Sequence, residues 1–350
     1  MKRLAPLALV VLAVSVGAAG AGRALAQAPT ETLPLGPAPA ETAAQMQDAV
    51  TISAQVFGPR VDDAYGAYQR GYFLTALALA LPRAEQGDRY AQTLIAEIYQ
   101  RGDGIGRDPA KAAKWYELAS RAGDPIAIFS LAMLYQNGDG VEKDRKKAAT
   151  LMKQAADAGY NPARYNLGLL HIEGLYMPPD MVEAARLIGA AAAAGLPEAQ
   201  YDYAGLLTEG AGTAPDPEGA AEYYRKAAEA GLVAAEIDYA TVLFLGKGVP
   251  QDKPAAARWY ERAAESGNPV AQNRYAKLLA AGEGVPVDIE AAAMWRALAQ
   301  RQGLTDPRLD KLLAAIDKDA LSRAEERARF WPSPPPTKVA ANGPAPSPSP

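Results

Sequence analysis

Glycine returns every 36 residues with no insertion: Gly87, Gly123, Gly159, Gly195, Gly231, Gly267 and Gly303. Aspartate keeps the same step at Asp108, Asp144, Asp180, Asp216, Asp252 and Asp288. Two alanine columns follow it as well, Ala91, Ala127, Ala163, Ala199, Ala235 and Ala271, and Ala112, Ala148, Ala184, Ala220, Ala256 and Ala292. A period of this size marks stacked supersecondary units, each of which can bury its apolar face only against a neighbour. The strict phrase is therefore expected to be a packing surface, with function carried where the copies differ.

One copy parses as two helices. The first spans about 89–101, with Ala91, Ile95, Ile98 and Tyr99 on one face at helical spacing. Gly102 and Gly104 break it, because glycine accepts the left-handed backbone of a helix C-terminus. Asp108 follows as an N-cap, with Pro109 at the first helical position, where a missing N–H costs nothing. The second helix, about 109–122, turns Ala112, Trp115, Tyr116 and Ala119 inward, and Gly123 ends it. Small residues on both helices allow close approach of their axes. The large residue at the Trp115 position (Leu151, Leu187, Tyr223, Trp259 and Trp295 in later copies) is expected to fill the gap between layers, and the neighbouring position, Tyr116 to Arg296, to be the more tolerant.

The phrases "GDGIGRDPAKAAKWYELASRAG" (102–123) and "GKGVPQDKPAAARWYERAAESG" (246–267) closely resemble the Sel1-like repeat, a relative of the tetratricopeptide repeat. The resemblance covers six repeats over 88–303. It departs most in the third, where Tyr176 replaces the second loop glycine and His171 stands where Tyr99 and Tyr135 stand in earlier copies. It implies an all-α fold, an α-solenoid (right-handed superhelix) of stacked antiparallel helix pairs. A shorter hairpin over 59–87 and helices over 304–331 are expected to cap the two ends, since an unpaired last unit would leave apolar surface in water.

The flanks read differently. "MKRLAPLALVVLAVSVGAAGAGRALAQ" has the basic start, apolar run and small-x-small site of a signal peptide, with cleavage expected after Ala26. The rival reading is a retained anchor helix over Leu4 to Ala21. Removing residues 1–26 takes away Lys2, Arg3 and Arg23 and moves the net charge from −4 to −7. The expected location is the periplasm or the exterior, with no integral membrane span left after cleavage. Residues 27–58 read as a linker, with a short helix near Glu41–Val50, and 332–350 as a Pro/Ser-rich disordered tail.

Composition narrows the chemistry. There is no cysteine, which excludes disulfides, thiolate catalysis and a lipidated N-terminal Cys. The one histidine, His171, excludes a two-His metal site, and it falls on the packing face. No basic run offers itself to nucleic acid. The recurrent Asp residues cap their own repeats, and the recurrent Tyr and Trp residues read as core. The "GDGIG" and "GKGV" stretches follow no strand and lack the Lys-Ser/Thr of a phosphate loop. No cofactor, metal or catalytic residue is expected.

What remains is the variable part of the first helix. By analogy with tetratricopeptide units, offsets 93, 97, 100 and 101 point into a groove. In the middle repeats they place Phe129, Met133, Tyr165, Leu169, Ile172, Tyr201, Ile237 and Phe244 there as candidate partner-binding residues. The competing reading packs the position-93 aromatics between repeats. The resemblance implies an exported, non-enzymatic scaffold or adaptor binding a protein or peptide, of the kind that regulates envelope signalling or polysaccharide production. The alternative is a peptidoglycan-binding or penicillin-interacting, hydrolase-like envelope protein, although exported relatives linked to penicillin binding are cysteine-rich.

Overall fold

Local chemistry sets the helix ends. In the computed structural model, which describes residues 62–174 and 176–333, the chain turns left-handed at Gly102 (φ 79°), whose N–H donates to the Ile98 carbonyl. The loop then returns, and the Asp108 N–H donates to the Tyr99 carbonyl at 2.8 Å. The Asp108 carboxylate meanwhile accepts from the Lys111 N–H at 2.9 Å. The same backbone bond joins Asp144 to Tyr135, Asp180 to His171, Asp216 to Leu207, Asp252 to Leu243 and Asp288 to Leu279. Each of these aspartates also caps the helix that follows it. One residue type thus closes the loop with its backbone and starts the next helix with its side chain.

Among the described residues there are sixteen helices and no strand. They fall into two compact units, divided between Ala158 and Gly159. The first holds α1 (Asp63–Gln69), α2 (Phe73–Glu85), α3 (Arg89–Arg101), α4 (Pro109–Arg121), α5 (Pro125–Asn137) and α6 (Arg145–Asp157). The second holds α7 (Asn161–Glu173), α8 (Met181–Ala193), α9 (Pro197–Glu209), α10 (Pro217–Glu229), α11 (Val233–Leu245), α12 (Lys253–Glu265), α13 (Pro269–Ala281), α14 (Ile289–Arg301), α15 (Pro307–Leu313) and α16 (Lys318–Phe330). Within each unit successive helices pack in chain order, apart from α14, which packs mainly on α13 and α16. This is the stacked helix-pair architecture of an all-α solenoid. The expected signal peptide (1–26), the linker (27–58) with its helix near Glu41–Val50, and the tail from residue 334 onward lie outside the described residues.

The core is built on alanine. Ala112, Ala148, Ala184, Ala220, Ala256 and Ala292 are at most 3% exposed, and Ala119, Ala155, Ala191, Ala227, Ala263 and Ala299 are fully buried. In the loops the second glycine has a packing role as well as a helix-breaking one. A Cβ on Gly248 would lie 2.0 Å from the Pro217 carbonyl oxygen, and one on Gly212 would lie 1.8 Å from that of Met181. Each loop that keeps this glycine therefore rests directly on the start of the preceding second helix.

Two details depart from expectation. The Trp115 position is not the deepest: Trp115, Leu151, Tyr223 and Trp259 are half-buried, and only Leu187 and Trp295 are buried. The neighbouring position lies deeper in five of six repeats, with Tyr116, Met152, Ile188, Tyr260 and Arg296 all at most 4% exposed and Tyr224 half-buried. Even Arg296 is accommodated, because Asp310 and the Leu304 carbonyl take its guanidinium protons. This bond ties α15 to α14.

A buried column shows what a mismatch looks like. Gln92, Gln200 and Gln272 each donate an amide proton to a carbonyl eight residues earlier, that of Ala84, Ala192 or Ala264. The fifth repeat carries Glu236 there, 3% exposed. One oxygen pairs with Arg262 at 2.8 Å and the other has no partner. Burial raises the Glu236 pKa and Arg262 only partly offsets it. Glu236→Gln restores a donor and should stabilise the protein by about 1 kcal/mol at pH 7. A raised pKa means the folded state holds the proton more tightly, so the wild-type penalty is absent below the ordinary glutamate range and grows as pH rises through the raised value. The gain should therefore be smaller at pH 4, and urea unfolding at both pH values checks it. A net loss at pH 7 would mean that the Arg262 pair outweighs the amide bond.

Candidate interaction face

The first helices of the repeats (α3 and α5 in one unit; α7, α9, α11 and α13 in the other) carry the variable positions. Of the eight candidate residues, Phe129, Met133, Tyr165, Leu169 and Ile237 are buried, none more than 8% exposed. Ile172, Tyr201 and Phe244 are half-buried. The first five contribute packing, and the part of the set that reaches solvent is Ile172, Tyr201 and Phe244.

Position 93 has a structural use that the sequence did not disclose. The Tyr165 hydroxyl donates to Asp202 and the Tyr201 hydroxyl to Asp238, both at 2.8 Å. Thr93 donates to Asp124, and Asn273 to Asp306 at 2.8 Å. In four repeats this side chain therefore reaches an aspartate 31 to 37 residues later in the chain. Burial raises the pKa of Tyr165 and of Tyr201, and the acceptor aspartates add to it. Burial also raises Asp202, which the Tyr165 hydrogen bond partly counters and Glu198 reinforces. The signal that could have found the pairing is the Asp placed one residue after the repeat step, at 202 and 238.

In the second unit a cavity of about 490 Å³ opens on this face. Asp238, Thr241, Val242 and Leu245 of α11, Thr208 of α9, Tyr224 of α10 and Lys247 line it. Leu245 is 49% exposed. Thr241 is held by the Tyr260 hydroxyl at 2.8 Å and by Arg274. Tyr224 packs edge-on against Tyr201, with centroids 5.7 Å apart, and its pKa is pushed up to about 12, first by burial and then by Asp238. The lining mixes hydroxyls, one carboxylate, one ammonium and aliphatic surface.

The first unit holds a second cavity of about 490 Å³. Leu94, Glu97 and Arg101 of α3 line it, together with aromatic residues of α1 and α2 and with Asp103 and Asp124. The Tyr68 hydroxyl donates to Asp103 at 3.0 Å, and its pKa is pushed up to about 12, chiefly by burial. Leu94, Glu97 and Arg101 occupy the repeat positions of Asp238, Thr241 and Leu245, so equivalent helix positions line both cavities.

Among the described residues no group of three His, Asp or Glu side chains is placed to hold a metal ion. His171 is half-buried, with a buried Nδ1 that has no hydrogen-bond partner. No described helix is long and apolar enough to cross a membrane.

A model of the Sel1 repeat matches six consecutive segments, 89–124, 125–160, 161–196, 197–232, 233–268 and 269–303. No curated protein matches the chain significantly in sequence. Among solved structures, c5321, a protective antigen of uropathogenic Escherichia coli displaying an SLR fold, is 27% identical with a TM-score of 0.63 over 72% of this chain. The match takes in 56% of that antigen, so the chain spans little more than half of it. A Sel1 repeat protein from Oxalobacter formigenes is 28% identical with a TM-score of 0.61, over 69% of this chain and 99% of its own.

The Tyr165–Asp202 bond yields a direct test. Tyr165→Phe keeps the ring and leaves a half-buried carboxyl without its donor, which should cost about 1–2 kcal/mol at pH 7. The Asp202 pKa, already raised, should rise further. The folded state then favours the protonated form, so the cost should shrink toward pH 4. Unfolding of both proteins at the two pH values measures it, and equal losses at both would place the penalty in packing.

Proposed function

Because the chain belongs to the Sel1 repeat family, whose repeats are protein-interaction scaffolds, we propose that it is an exported, non-enzymatic adaptor holding a protein or peptide partner on the face built by the first helices. One observation carries this reading. The recurrent positions are consumed by packing and capping, whereas helix positions 94, 97 and 101 and their equivalents line a cavity in each unit. A surface that varies from repeat to repeat on an unvarying scaffold is what recognition of an irregular partner requires.

Export rests on the N-terminal signal pattern. The periplasm or the exterior follows, and control of envelope signalling or polysaccharide production is the role that such an adaptor fits there. The fold is typical of non-catalytic scaffolds.

A photo-crosslinking residue at position 245 in living cells tests the proposal. It should capture a protein. Leu245→Glu should reduce recovery of that protein on the purified adaptor by about tenfold or more, as loss of an interface anchor does. Val182→Glu is the control, since Val182 is 69% exposed on the second helix α8. It should leave capture intact, and the melting point of both variants should stay near wild type. Loss of capture through Val182→Glu alone would move the interaction to the second helices. Sedimentation with purified peptidoglycan in the absence of any captured protein would favour a wall-binding role.

A further inference from the structure

The two cavities have the same volume and opposite character. The one in the second unit has a single carboxylate, Asp238, and a single ammonium, Lys247. The one in the first unit is lined by four carboxylates, Asp62, Glu97, Asp103 and Asp124, against one guanidinium, Arg101. Internal bonds account for two of the four. Asp62 pairs with Arg83, which stands outside the lining, at 2.8 Å. Asp124 is buried and accepts from Thr93 and from the Ile126 N–H. Asp103 accepts from the Tyr68 hydroxyl, a neutral donor. Glu97 lies between them on α3, with its pKa raised by burial, pulled back by Arg101 and pushed up again by Asp124 and Asp103. The cavity holds more acid than its own cation balances.

Its walls are aromatic. Tyr65 and Tyr68 stack with centroids 6.4 Å apart, and Phe73 meets Tyr68 edge-on at 5.5 Å. Tyr65 is 44% and Tyr90 58% exposed, so ring surface is open to a visitor. On this same surface the Arg89 guanidinium already stands 4.9 Å from the Tyr90 centroid. Ring faces attract cations, and the attraction strengthens where water is displaced. Leu94 and Ile126 add the apolar contact that the stem of a long cationic side chain uses.

We propose that this cavity binds an arginine or lysine side chain of a partner peptide. The stem of that side chain lies against Tyr65, Tyr68 and Leu94, and its charge faces Glu97 and Asp103. The inference rests on the scaffold reading and adds the chemistry of what is held. A metal ion is a poor occupant, since no described acidic group has metal-holding geometry. An anion would meet the excess of carboxylates.

The test uses the full chain and four dye-labelled heptapeptides, Ala-Ala-Leu-X-Leu-Ala-Ala, with X as arginine, lysine, citrulline or glutamate, read by fluorescence polarisation. Citrulline keeps the shape of arginine without its charge. The arginine and lysine peptides should bind saturably, and the citrulline and glutamate peptides should bind about tenfold or more weakly. Glu97→Gln should abolish the preference for arginine over citrulline while the melting point stays near wild type. Tyr65→Ala should weaken both cationic peptides. If removing a partner of Tyr68 through Asp103→Asn unfolds the first unit, Glu97→Gln alone decides. Equal binding of arginine and citrulline, an unchanged preference in Glu97→Gln, or no binding of any peptide up to millimolar concentration would overturn the proposal. Any of these leaves the scaffold reading intact as long as crosslinking at position 245 still captures a protein. A clear charge preference without any crosslinked partner would support the cation site and count against the scaffold.

Discussion

Helix-to-helix contact over alanine is the interaction on which the rest of this structure depends. Within each unit three columns of alanine lie between the packed helices, and these residues are sealed from solvent. A side chain of one carbon lets two helix backbones approach closely, and close-packed interiors leave little slack for anything larger. The spacing is tuned as well as small. Where the third repeat has Gly168 at a position that is alanine in the other five, an added Cβ would fall 2.6 Å from Ile188 Cγ1. The branched Ile188 side chain occupies the space that this methyl would take.

Once the helices are that close, their ends must be finished without bulk. Aspartate does this at each second helix through one backbone bond and one side-chain bond. The loop glycines then rest against the previous repeat's backbone, where no side chain fits. Almost every recurring residue is thereby committed to structure. The carboxyls with raised pKa values, Glu97, Asp202 and Glu236, all sit at positions that change between repeats. Variation, burial and unbalanced charge coincide, and this coincidence points to the first-helix face.

The parts legible in the sequence were those decided within a few residues. Helix spans, the glycine stops, the Asp108-type caps and the fold class follow from period and local bonding, and the structure has each of them. The relative depth of Trp115 and Tyr116 was not legible. The two are neighbours on one helix, and which lies deeper depends on how the adjoining helices cross them. Position 93 was opaque for a similar reason. Tyr165 looks like an exposed anchor until Asp202, a distant residue in the sequence, supplies its acceptor. The cavity in the first unit draws on α1, α2, α3 and the loops after α3 and α4, whose short segments carry no shared pattern. The one repeat with a tyrosine in place of its second loop glycine, Tyr176, is also the first repeat of the second unit.

The most direct measurement is the thermal midpoint of Ala256→Leu beside that of Ala193→Leu. Ala256 is fully buried in an alanine column, and Ala193 is exposed at the end of α8. If alanine sets the spacing, three added carbons at position 256 overpack the stack and cost about 1–3 kcal/mol, a fall of several degrees, while the change at 193 is nearly silent. Midpoints that match wild type for both variants would contradict it.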